Sequence, residues 1–108
     1  MKIDWSRALM LGLVKLGILS VLNEGPLHGY GIIKKIEEKC KGCCKISVGS
    51  LYPALKELEN KGLVKSRKKV FNGRKRVVYE LTKEGEETLR DGLTKWCDFR
   101  RWSKDLFQ

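Results

Sequence analysis

The side chains able to do chemistry in this chain of 108 residues are four cysteines, one histidine and an unbroken group of cations. Cys40 and Cys43 have the Cys-x-x-Cys spacing of a metal or redox pair, Cys44 follows directly, and Cys97 stands far along the chain. Lys39, Lys41 and Lys45 surround the first three and favour their thiolates. A closed zinc site needs four ligands, and no second Cys-x-x-Cys supplies them, so only a contribution from Cys97 would complete one. His28 has no histidine partner. No paired-carboxylate pocket and no glycine-rich phosphate loop accompanies it, so no catalytic set is legible and an enzyme is not expected. No cofactor is expected either.

The cations are more telling. Between Lys61 and Arg76 stand Lys61, Lys65, Arg67, Lys68, Lys69, Arg74, Lys75 and Arg76, with no Asp or Glu among them. The net charge is +10. A heat-adapted surface rich in Lys and Glu would also be strongly charged, but it would not separate the signs in this way. Segregated cations favour a polyanion. Lys68, Lys69, Arg74, Lys75 and Arg76 are therefore expected to meet phosphates or enter a groove, with Arg74 at the tip of a turn. Just before this run, Leu51, Leu55 and Leu58 fall at helical spacing and define a buried face. Gly49, Tyr52 and Lys56 lie on the other side, where they could reach the major groove, and Ser47 and Ser50 open the helix where a phosphate is favoured. A helix face beside a cationic ribbon suits double-stranded DNA, one part for the groove and one for the backbone. A basic RNA-binding domain explains the charge equally well, and the cysteines leave a thiol or zinc redox-sensing protein as a third reading.

The elements that must position these groups follow from periodicity and punctuation. Arg7 to Asn23 reads as a helix apolar on nearly all sides, which must be buried in a core and against a further surface. Gly25-Pro26 ends it, and a second helix from about His28 to Lys41 turns Ile32, Ile33 and Ile36 inward. Ser47 caps the third helix, Pro53 strains its start, and Gly62 stops it. Leu63 to Val70 and Arg76 to Leu81 read as strands joined through Asn72-Gly73, a strong hairpin signal. Thr82 caps a last helix on which Leu89, Leu93, Trp96 and Arg100 share a face. The expected class is mainly α with a small β-hairpin, a winged helix-turn-helix in which residues 1–81 bind DNA and residues 82–108 form a C-terminal helix. The longest apolar run, Ala8 to Leu22, is split by Lys15 and is shorter than the roughly 20 residues that cross a bilayer. No membrane contact is expected, and the cytoplasm is the expected location.

Three segments also resemble a known family. Gly25-Pro26-Leu27-His28-Gly29-Tyr30-Gly31-Ile32-Ile33-Lys34-Lys35-Ile36 is similar to the second-helix signature of the PadR family of transcriptional regulators. Ser47-Val48-Gly49-Ser50-Leu51-Tyr52-Pro53-Ala54-Leu55 resembles its recognition helix, and Gly73-Arg74-Lys75-Arg76 with Tyr79-Glu80-Leu81-Thr82-Lys83-Glu84-Gly85 resembles its wing and the turn beyond. The resemblance implies a homodimer that binds an inverted-repeat operator and represses. It implies that His28 and Tyr30 form a corner against the DNA backbone. It also implies that the first and last helices build the dimer interface, to which Trp5, Leu9, Leu89, Leu93, Trp96 and Arg100 are assigned. Trp96 matches the place where multidrug-binding members stack flat aromatic ligands. Release by a small aromatic effector or by thiol oxidation is one reading of the control; the plainer reading of Cys40, Cys43, Cys44 and Cys97 is unexceptional thiols or a structural disulfide.

Overall fold

The computed structural model describes the chain except Met1, Asp4 and residues 42–45, with only the backbone described at residues 5–8, 10 and 11. Four helices and three strands follow in the order α1 (Trp5–Leu22), β1 (Leu27–His28), α2 (Gly29–Lys39), α3 (Val48–Asn60), β2 (Val64–Phe71), β3 (Arg74–Leu81) and α4 (Lys83–Leu106). This is the winged helix-turn-helix expected from the sequence, of α+β class, with one addition. β1 pairs antiparallel with β3, so the sheet has three strands in the order β1-β3-β2 rather than a bare hairpin. A two-residue strand is too short to show a period-two pattern, which is why its sequence did not announce it.

Local chemistry accounts for the element ends. Ser47 caps α3 by accepting the Ser50 backbone N–H at 3.2 Å. Thr82 caps α4 by accepting the Gly85 N–H at 3.0 Å, while its hydroxyl donates to the Gly62 carbonyl at 2.7 Å. That second bond ties the start of α4 to the end of α3. Asn72 and Gly73 both take positive φ, 49° and 78°, as a two-residue turn matched to the strand twist requires. The turn sets the register Phe71 opposite Arg74, Val70 opposite Lys75 and Lys69 opposite Arg76.

One core joins all the helices to the base of the sheet. Ile18, Ile32 and Leu51 are fully buried, and Leu55, Leu58, Val64 and Tyr79 close around them. Pro53 lies inside α3, yet the helix continues to Asn60. Leu51→Ala is expected to cost about 2–5 kcal/mol, because so enclosed a site leaves a cavity rather than collapsing. Urea unfolding measures it, and a loss below 1 kcal/mol would show that the centre of the core has been misplaced.

Ion pairs brace α1 and the turn after it: Lys15 of α1 with Glu57 of α3, and Glu24 of the turn with Lys39 and, at 3.5 Å, Lys35 of α2. The hydrogen bond from Lys15 is the main cause holding the Glu57 carboxyl below its usual 4.5, against an opposing push from burial. Glu24 is lowered in the same way, chiefly by the hydrogen bond from Lys39. Folded values below unfolded ones give stability that is present above about pH 4.5 and lost as pH falls through the lowered values. The effect is modest, since these side chains are well hydrated. The melting temperature of a Glu24→Gln/Glu57→Gln variant is expected to fall less steeply with acid than that of the parent. Parallel acid limbs would show that these pairs do not matter.

The start of α4 packs within this same core. Leu89 is only 4% exposed, and Gly92 lies so close to Leu16 of α1 that a side chain there would collide with it. Beyond Gly92 the helix leaves the body. The radius of gyration is 15.3 Å, against about 13 Å for a compact domain of this length. The longest dimension is 55 Å. Leu89, assigned from the sequence to a dimer interface, is therefore used within its own chain; its stripe continues outward only from Leu93.

Candidate nucleic-acid interface

α3 presents the face expected of it. Leu51, Ala54, Leu55 and Leu58 are buried, while Ser47, Gly49, Ser50, Tyr52 and Lys56 are all exposed. Pro53 brings no N–H, so the Gly49 carbonyl on this face lacks its usual helical partner. Tyr52 has a second task that its sequence position did not reveal. Its hydroxyl lies directly against Gly29 at the start of α2, where any side chain would overlap the phenol. It also stands near Tyr79, whose own phenol is pushed above the usual 10.0, first by burial and then by the charges of Tyr52 and Glu59. Tyr52 thus braces α3 against α2 and keeps one edge in solvent. Only the juxtaposition of two distant segments reveals this.

The wing is cationic on both faces. The register places Lys68 and Lys75 on the face that continues from the core, together with Val70 and Val77. Lys65, Arg67, Lys69, Arg74 and Arg76 lie on the other face, where Glu80 is the one acid and is paired with Arg67 at 3.8 Å. Lys69 stands directly across from Arg76. Like charges opposed in a ladder destabilise it, so the wing holds a repulsion that a polyanion would relieve. The tip is also apolar, since Val70 is 65% and Phe71 50% exposed.

His28 precedes α2, and its side chain makes no capping bond to that helix. Instead it lines an open cleft of about 520 Å³ with Phe71, Asn72, Arg74 and Arg76. β1 and the wing tip thus meet in one place that the sequence gave no reason to join. Tyr30, in the first turn of α2, is exposed. Neither Phe71 nor Asn72 is among the residues the sequence places in a site, although the Asn-Gly turn, once its register is assigned, already puts Phe71 opposite Arg74.

The remaining sites divide. Trp96 is 37% exposed on α4 and stacks on Phe99 with ring centres 6.1 Å apart; Phe99 meets Trp102, and Trp102 meets Phe107. Leu93 and Arg100 are exposed on the same helix, and Leu9 and Leu13 on α1. The side chain of Trp5, with Cys43 and Cys44, lies outside the described residues. Cys40 is disulfide-bonded at the end of α2, and Cys97 is an exposed free thiol. Among the described residues no group of three His, Cys, Asp or Glu is placed to hold a metal. No helix among them is long and apolar enough to cross a membrane.

The model of the PadR-like family of transcriptional regulators matches residues 18–91. The chain belongs to that family. The matched segment runs from the last turns of α1 through the wing into α4, and so contains α2, α3 and all three strands. The chain is 33% identical over 78 residues to the transcriptional regulator Rv3488 of Mycobacterium tuberculosis, covering 72% of this chain and 70% of that one. Its fold is similar to that of a transcriptional regulator from Clostridium thermocellum, with a TM-score of 0.87, 29% identity, and coverage of 94% of this chain and 99% of the other. It is also similar to Bacillus subtilis PadR solved in complex with operator DNA, with a TM-score of 0.68 and 29% identity, covering 75% of this chain. The PadR-like chain spans 46% of the length of that protein. Members of the family are transcriptional regulators, not enzymes, in keeping with the lack of a catalytic set in the sequence.

Proposed function

We propose that the protein is a homodimeric, sequence-specific binder of double-stranded DNA that represses transcription from an inverted-repeat operator. The observation that carries this is one surface on which an exposed α3 face stands beside a wing cationic on both sides. In this reading α3 enters the major groove through Gly49, Tyr52 and Lys56. Ser47, Ser50, Lys68, Lys69, Lys75 and Arg76 take backbone phosphates, and Arg74 reaches the edge of the minor groove, where it too neutralises a phosphate. The operator complex of Bacillus subtilis PadR supports the choice of duplex DNA.

A second copy would cover the exposed part of α4 from Leu93 outward, together with Leu9 and Leu13 of α1. So many large apolar side chains on one protruding helix are costly to leave in water. Residues 82–108 then serve both the core and the dimer, rather than forming a separate unit after residue 81. Trp96, stacked on Phe99, offers a flat surface on which a small aromatic effector could rest and loosen the dimer. Exposed Cys97, one residue further on, offers the same helix to oxidants. Regulation of this kind is carried out in the cytoplasm.

Titration of a duplex at two salt concentrations tests the DNA contact. The logarithm of the affinity is expected to fall with the logarithm of salt at a slope near −0.9 for each phosphate neutralised. A salt-insensitive affinity, or a preference for structured RNA over duplex DNA, would reject it.

A further inference from the structure

The groove-reading stripe of α3 does not end at Lys56. Gly49, Tyr52, Lys56 and Glu59 follow one another at steps of three and four residues, so all four share one face of the helix. Glu59 is exposed there, in the last turn. The position is electrostatically poor. A carboxylate near a helix C-terminus meets the negative end of the helix dipole, and beside a duplex it meets phosphates as well. What Glu59 gains is a bond to the wing: the Ser66 hydroxyl of β2 donates to its Oε2 at 2.7 Å. That bond stands where the wing leaves the body. β2 is the outer strand of the sheet; Val64 at its base is buried, whereas residues 65–68 are exposed. Among the described residues, no other side-chain hydrogen bond or ion pair ties the wing beyond Val64 to a helix.

Ser66 lies directly opposite Tyr79 in the ladder. The Tyr79 phenol is raised first by burial and then by Tyr52 and Glu59, so both of these α3 residues stand near it. Tyr52 in turn rests against Gly29 of α2. The reading helix is thus held to α2 near the start of its stripe and to the wing at the end of it. We propose that Glu59 and Ser66 are positioning residues for operator binding, their bond setting the angle between α3 and the wing. The inference rests on the DNA-binding reading and adds to it which side chains hold the two parts in one frame. Without the bond the wing, already loaded by the repulsion of Lys69 and Arg76, swings more widely. It must then be ordered at each binding event, which costs affinity. That cost falls on a sequence that α3 reads, where helix and wing must fit at once. Complexes held by phosphates alone need no fixed angle.

The test uses the full chain, a duplex that it selects from a random pool, and an unselected duplex. Ser66→Ala removes the hydroxyl and leaves every charge in place. It is expected to weaken binding to the selected duplex about tenfold, and to leave the unselected duplex and the salt slope unchanged. Ser66→Thr, which restores a hydroxyl on a residue suited to strands, should recover the affinity. Glu59→Ala should lower the ratio of selected to unselected affinity by the same factor, and Glu59→Gln, whose amide oxygen still accepts, by less. In the free protein, the amides of residues 70–76 should lose NMR order in Ser66→Ala while those of α3 keep theirs. An unchanged ratio in Ser66→Ala, an equal loss on both duplexes, or no recovery with Ser66→Thr overturns the proposal. So does a rise in affinity on every duplex in both Glu59 variants with the ratio held, which would make Glu59 a repelling charge and nothing more. If the unaltered chain binds no duplex at any salt, the DNA-binding reading falls, and the wing amides alone decide whether the bond sets the wing.

Discussion

Replacing Arg74, Lys75 and Arg76 together with alanine is expected to weaken duplex binding on the order of 500-fold at 0.1 M salt. Each cation lost from a phosphate removes about 0.9 from the salt slope, and three remove about 2.7, which is that factor relative to 1 M. The loss should be similar on every sequence, because backbone contacts position the protein without reading bases. Stability should move the other way or not at all. Arg76 faces Lys69 across the ladder, and removing one partner of a like-charge pair relieves repulsion. Fluorescence anisotropy with specific and random duplexes at several salt concentrations checks the first part, and thermal unfolding the second. Loss confined to the specific duplex would move the wing from backbone to base contact. An unchanged salt slope would remove it from the interface.

The second large effect concerns α4. Trp96→Glu together with Phe99→Glu is expected to halve the mass seen in light scattering and to weaken operator binding by about 10²- to 10⁴-fold. That is the range over which linking two sites raises avidity. The reason is the direction of exposure. Leu89 and Gly92 hold the start of α4 in the core, while Trp96, Phe99 and Trp102 project beyond it. Charges placed on the projecting part leave the protomer fold in place, and circular dichroism should show unchanged helix content. A dimer that survives both substitutions would show that the copies meet elsewhere. Binding to a single half-site should be nearly unaffected, which separates loss of pairing from damage to α3.

The parts of this molecule that were legible in its sequence are those settled over a few residues. Ser47 and Thr82 cap because a hydroxyl oxygen three residues before a free backbone N–H is within reach of it and accepts it. Leu51, Leu55 and Leu58 share a face by helical period alone, and Asn72-Gly73 turns because both positions need positive φ. Tyr52 illustrates the limit. Its spacing put it on the α3 surface, yet its contact with Gly29 depends on how α2 crosses α3. Leu89 and Leu93 read identically along the helix; the point at which α4 leaves α1 makes one core and the other surface. His28 and Arg76 are 48 positions apart and meet because β1 adds to the sheet edge beside β3. Two residues of strand carry no pattern, so that meeting could not be read from the chain.

The most direct measurement is a hydroxyl-radical footprint on a duplex selected by the protein from a random pool. Two protected patches of related, inverted sequence should appear, their centres one helical turn apart at roughly 34 Å. A single patch, or equal protection of an unselected duplex, would contradict the pairing of two cationic wings on one operator.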